Sequence, residues 1–175
     1  LVEDVESGAG LTRLTRAKRE IIDLLQRLDG DRIGLVAFAG TAFVQLPLTL
    51  DYGAAQLFVD DVGADMMPVK GTAIAEALRT SVRAFEGAQG DSRAVILITD
   101  GEDTEGEALA AAQEAAKAGV RVFAIGIGRA EGAPIPSEDG GFRRDERGEL
   151  VLSRLDEGTL QQVAAATGGA YVKAV

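Results

Sequence analysis

The sequence predicts an α/β fold: a doubly wound, mostly parallel sheet with helices on both faces, one antiparallel edge strand and an inserted β-hairpin. Three short apolar runs, "IGLVAFAG" (33–40), "SRAVILITD" (92–100) and "VRVFAIGIG" (120–128), lack the alternation of a half-exposed strand and read as strands buried on both faces. Stretches at helical spacing separate them, and strands alternating with helices point to a parallel sheet joined by crossover helices. With 175 residues and 46% hydrophobic content, the chain suits a single domain, 1–175, with a sizeable core.

The chain opens on "LVEDVESGAG", where Leu1 to Val5 is too short and too acidic for a central strand. "TRLTRAKREIIDLLQRL" (12–28) sets Leu14, Ala17, Ile21, Leu24, Leu25 and Leu28 on one stripe of an amphipathic helix. Its basic residues Arg13, Arg16, Lys18, Arg19 and Arg27 read as a solvated face rather than a partner patch. The first apolar run follows, and "TAFVQLPLT" (41–49) is hairpinned to it on a sheet edge, because a central strand would not tolerate Pro47. "DYGAAQLFVDDV" (51–62) reads as a short helix capped by Asp51, and "GTAIAEALRTSVRAF" (71–85) as a longer one. After the second run, "EGEALAAAQEAAKAG" (105–119) is an alanine-rich helix closed by Gly119, and the third run follows at once. Residues 129–150 are rich in Gly, Pro and charge; "FRRDERGELVLSRL" (142–155) reads as a β-hairpin turning near Arg147–Gly148. A helix at 156–167 and a final strand, "AYVKAV", complete the chain.

Composition narrows the chemistry. The sequence has neither Cys nor His, which removes disulfides, thiolate and imidazole metal ligands, and the histidine-based nucleophilic triads. A bound metal would need oxygen ligands, which favours a hard cation such as Mg²⁺, Ca²⁺ or Mn²⁺. A formal net charge of −10 argues against nucleic acid as a partner and equally against anionic membrane surfaces. No apolar stretch approaches 18 residues, and the first 30 residues hold no signal-peptide core.

Open α/β sheets bind ligands beyond the carboxyl ends of their strands, and two residues fall there. Asp100 ends the second run, with Gly101 freeing the turn, and either caps the next loop or serves a site. Thr72 follows Gly71 at a helix start and reads as an N-cap, a role compatible with facing a cation. Glu102, Asp103 and Glu105 read as helix-start carboxylates favoured by the dipole rather than as ligands. "AIGIGRAEG" misplaces the third Gly of a dinucleotide fingerprint, and "GTAIAEAL" has no phosphate-loop Lys.

Thr72 in "KGTAIAEAL", Asp100 in "VILITDGED" and the run "GDRIGLVAFAGTAFVQLPLT" together resemble the von Willebrand factor A domain. "LTRAKREI", "LPLTLDYGA", "EGAPIP" and "LSRLDEGTLQQVAAATGGAYV" resemble its bacterial Bat, or aerotolerance-type, branch, so the likeness spans essentially the whole chain. The resemblance implies a Rossmann-like sheet bearing a metal-ion-dependent adhesion site. There a D-x-S-x-S loop, a Thr and an Asp hold Mg²⁺, and a carboxylate of the protein partner completes the shell. By position, Thr72 and Asp100 would be the second-loop and third-loop ligands. No D-x-S-x-S occurs in this sequence, and the family's first strand would precede "LVEDV". The expectation is a domain incomplete at its N-terminus, with Mg²⁺ binding weak or absent and with sheet edges open to edge-pairing or strand exchange between copies.

For the full-length protein the resemblance implies a non-enzymatic protein-binding module anchored in the inner (cytoplasmic) membrane. Its partners would be other Bat-type proteins and a MoxR-type AAA+ ATPase, in stress tolerance or assembly. Two other readings stay open: a Mg²⁺-dependent phosphoacceptor domain using Asp100, and a structural scaffold with a degenerate metal site.

Overall fold

A computed structural model describes residues 5–6, 11–63, 66, 69, 71–88, 90, 92–99, 103, 106–128, 131–134, 141–142, 144–145 and 147–174. A two-residue ribbon, β1 (Val5–Glu6) with β2 (Leu11–Thr12), precedes helix α1 (Arg13–Leu25), a feature the acidic opening does not suggest. Thr12 caps α1, its hydroxyl accepting from the Thr15 amide at 3.1 Å. Strands β3 (Ile33–Phe38) and β4 (Ala42–Thr49) form the expected antiparallel hairpin, with Pro47 on its outer strand. Helix α2 (Tyr52–Asp61) starts as expected, with Asp51 Oδ1 accepting from the Ala54 amide at 2.9 Å.

Helix α3 (Ile74–Ala84), strand β5 (Arg93–Thr99), helix α4 (Ala108–Lys117) and strand β6 (Val120–Gly126) then alternate as expected. Gly119, at φ 72°, takes the left-handed turn that ends α4 and feeds β6 directly. β5 and β6 pair in parallel from Arg93↔Val120 to Thr99↔Gly126. Helix α5 (Glu157–Ala166) leads to β9 (Tyr171–Lys173), which adds in parallel to the other edge of β6. At Gly169, just before β9, the chain lies so close to the Val122 carbonyl that a Cβ would clash with it.

The expected hairpin over 142–155 is present around its turn, with residues 143 and 146 outside the described residues. Gly148 donates to the Asp145 carbonyl at 3.0 Å, a bridge joins Arg144 and Leu150, and Phe142 takes part in a further bridge. Its second half, β8 (Leu152–Ser153), also pairs with β7 (Ala133–Pro134), a contact the sequence does not suggest. Two-residue strands carry too short a pattern to fix a partner or a register from sequence.

The core has two parts. Ile74 and Leu78 of α3, Ala111, Ala112 and Ala115 of α4 and Leu160 and Val163 of α5 pack on Leu97, Val122 and Ala124, with Phe38 of β3 alongside. Leu25 of α1 and Ala55 of α2 pack on Leu46 of β4, with Ile33 and Leu35 of β3 alongside. Helices therefore stand on both faces of the β3–β4 hairpin. Across β5–β6–β9 the picture differs, because burial on β5 alternates. Val95, Leu97 and Thr99 face α3–α5, whereas Ile96 on the opposite face is 43% exposed and Val172 of β9, on that same face, is 59% exposed. The expectation that β5 is buried on both faces fails at that point. An apolar run records what a strand can bury, not what covers it.

Candidate functional site at the exits of the strands

The sheet's exit edge is organised by backbone hydrogen bonds. The Ala73 amide donates to the Ala39 carbonyl at 2.6 Å, and the Gly40 amide to the Val69 carbonyl at 2.9 Å, tying the loop that carries Thr72 to the end of β3. The Ile127 amide donates to the Thr99 carbonyl at 2.9 Å, locking the end of β5 to the exit of β6. Thr72 is half-buried, and Gly71 before it takes φ 138°, which favours glycine. Thr72 is not the helix cap. That position belongs to Ala73, which makes no side-chain cap bond, so the N-cap reading of Thr72 is corrected.

Asp100 lies outside the described residues, as do Glu102 and Glu105. Thr99, its predecessor in sequence, is buried at the end of β5. Asp103 serves the next helix, as its position predicts: its Oδ2 accepts from the Ala108 amide at 3.0 Å. Nearby, the Thr41 hydroxyl donates to Glu76 Oε1 at 3.2 Å, joining the β3–β4 turn to the first turn of α3. Among the described residues, no cluster of three or more acidic side chains is placed to hold a metal ion. Of the two expected ligands, the described residues thus supply one hydroxyl, far short of an octahedral oxygen shell.

Arg13 is the residue that sequence reasoning misplaced. It is only 1% exposed, and its guanidinium carbon would lie 3.3 Å from a Cβ built on Gly128, just past the exit of β6. A signal was present, because Arg13 stands four residues before buried Ala17 on the stripe that continues to Ile21 and Leu25. Tyr171 also reaches this edge: its hydroxyl would lie 2.7 Å from a Cβ on Gly126. Burial, and then the Glu157 carboxylate, push the phenol up to about 12, so it stays neutral across the physiological range.

Residues 4–137 match the von Willebrand factor type A domain family. BatB from Bacteroides thetaiotaomicron is 43% identical over 99% of this chain and 83% of its own, with a TM-score of 0.89. An aerotolerance-related membrane protein from Bacteroides fragilis NCTC 9343 is 39% identical over 100% of this chain and 85% of its own, with a TM-score of 0.90. The mussel byssus protein PTMP1, with a zinc-occupied MIDAS motif, is 19% identical over 90% of this chain and 35% of its own, with a TM-score of 0.65, and shares the fold alone. No curated protein matches the chain. Among the described residues no helix is long and apolar enough to cross a membrane. With its family match over most of its length and two relatives near 40% identity, the chain belongs to the von Willebrand factor type A domain family, on the side of the Bat aerotolerance proteins.

Proposed function

We propose that this chain is one non-enzymatic protein-binding domain whose recognition site is built at the strand exits from the loops of Thr72 and Asp100. The observation that supports it most is the anchoring of the Thr72 loop to the end of β3 by the 2.6 Å Ala73–Ala39 hydrogen bond, which fixes that loop at the ligand-binding edge of an α/β sheet. In this reading Thr72 and Asp100 contribute oxygen ligands to Mg²⁺ or another hard divalent cation, and an acidic group of the partner protein completes the shell. The cation supplies the attraction for that carboxylate; this chain supplies the Thr72 hydroxyl, on a loop bonded to the end of β3, and the Asp100 carboxylate. With no D-x-S-x-S loop in the sequence, metal affinity is low.

Kinship with the Bat proteins supports a setting in a membrane-anchored bacterial assembly, with Bat-type proteins and a MoxR-type AAA+ ATPase as partners and flanking segments as the anchor. The fold in this reading is one doubly wound, mostly parallel sheet with helices on both faces.

Titrating the isotope-labelled chain with acetate, with and without Mg²⁺, tests the reading by NMR. Acetate is expected to shift the Thr72 and Asp100 amides only when Mg²⁺ is present, and not in Thr72→Val or Asp100→Ala. Incubation with acetyl phosphate is expected to leave no adduct. A stable phosphoryl group on Asp100 by mass spectrometry would replace binding with phosphoacceptor chemistry.

A further inference from the structure

The exit edge carries one more element beyond the loops of Thr72 and Asp100. β6 ends at Gly126 and α5 begins at Glu157, and the segment between them is rooted at both ends beside that edge. Ile127 and Leu155 are its buried roots, and a Cβ built on Gly126 would lie 2.9 Å from Leu155 Cδ1. From these roots the hairpin around Gly148 stands out into solvent: every described residue from Gly141 to Leu150 is exposed.

One face of that hairpin is not the polar surface a solvated turn would show. Arg144 and Leu150 are direct cross-strand partners, so their side chains share a face. Phe142, two residues before Arg144 and itself in a bridge, lies on that face by strand alternation. Phe142 is 55% exposed and Leu150 41%. One exposed apolar side chain is ordinary, but an aromatic ring and a leucine set about an arginine are the residue types that protein interfaces concentrate. Arg144 is held in place, its Nη1 donating to the Gly148 carbonyl at 2.6 Å. Among the described residues neither Arg144, Arg147 nor Arg154 is in an ion pair. The nearest acids in sequence are placed otherwise: Asp145 Oδ1 accepts from the Arg147 and Glu149 amides at 2.8 and 2.9 Å, and Glu149, one residue from Leu150, falls on the opposite face.

We infer that this hairpin face is a second docking surface for a partner protein, and that it takes an extended segment in which apolar side chains alternate with carboxylates. The apolar side chains cover Phe142 and Leu150, and a carboxylate pairs with the Arg144 guanidinium that the turn holds in place. Charge decides the kind of partner. On a chain of formal net charge −10, an arginine without an acidic partner between two exposed apolar side chains is a local positive site, attracting a carboxylate that the rest of the surface repels. A short segment meets that local charge alone, whereas a broad anionic membrane surface meets the negative charge of the whole molecule. The inference goes beyond the proposed cation site and holds whether or not Thr72 and Asp100 bind Mg²⁺.

The probe is a short capped peptide of alternating leucine and aspartate, titrated into the isotope-labelled chain and followed by NMR. EDTA is present throughout, so failure of the cation site leaves this test unaffected. Shifts are expected at the Phe142, Arg144 and Leu150 amides and at the Arg144 Nε–H. Phe142→Ser and Arg144→Gln change exposed side chains and should each weaken binding about fivefold or more. Arg144→Gln should also flatten the salt dependence, while Arg19→Gln, an exposed charge on α1, should leave binding unchanged. The same peptide with lysine in place of aspartate should not bind. Equal binding of the lysine peptide, equal loss in Arg19→Gln, or shifts confined to residues outside the hairpin would overturn the surface. Vesicles of phosphatidylglycerol that bind the native chain but not Phe142→Ser, with no binding of the peptide, would make a membrane the occupant and overturn the one named here.

Discussion

At the end of α5, the buried Thr167 hydroxyl accepts from the Val122 amide at 2.8 Å and donates to the Ala164 carbonyl at 3.0 Å. One side chain thus joins a helix terminus to the central strand of the parallel sheet. Thr167→Val keeps the shape but strands the Val122 amide in the core, and should cost about 1–3 kcal/mol in urea unfolding. A loss near zero would mean that the amide finds another partner. At the candidate site, the strand ahead of Asp100 is legible as an apolar run, and it ends at buried Thr99; Asp100 itself lies outside the described residues. Thr72 was legible as to place but not as to local role, because the helix begins two residues later with Ala73 at its cap. The charge of Arg13 points to solvent, yet its position on the apolar stripe of α1 buries it.

Between elements, Arg79 of α3 holds α4 through three bonds: Nε to Glu114 Oε2 at 2.9 Å, Nη2 to Glu114 Oε1 at 3.0 Å, and Nη1 to Glu107 Oε2 at 2.9 Å. The bidentate fork holds the Glu114 carboxyl below its ordinary 4.5, chiefly through its hydrogen bonds. A lowered folded value means that the contribution is complete above about pH 4.5 and fades as pH falls through that lowered value. Glu157, bonded to Lys173 at 2.8 Å, behaves alike. These pairs are exposed, so the effect is small and salt-sensitive. The stability gap between the native chain and Arg79→Ala should narrow below pH 4.5 in urea midpoints taken at low salt. A gap that is constant down to pH 3 would show that Arg79 acts by packing alone. The main helices and long strands were legible because periodicity and run length persist over many residues. The pairing of Leu152–Ser153 with Ala133–Pro134 was not, since two residues carry no period.

For the whole molecule, the parallel pairing of β5 with β6 follows from alternation of strands and helices, the β3–β4 hairpin from Pro47 and a short connection, and the unpaired edges of β3 and β5 from the resemblance alone. No pattern within a strand reports whether its neighbour is present. Among the described residues, β3 and β5 each pair on one side only, and the loop of Thr72 is bonded to the end of β3. In the proposed function, the loops of Thr72 and Asp100 form a cation-dependent recognition site lacking part of its ligand shell. Calorimetric titration of Mg²⁺ into the chain and into Asp100→Ala tests it most directly. The native chain should bind weakly, unsaturated at about 1 mM, and Asp100→Ala should abolish the signal. Tight one-to-one binding, or weak binding that survives Asp100→Ala, would contradict it.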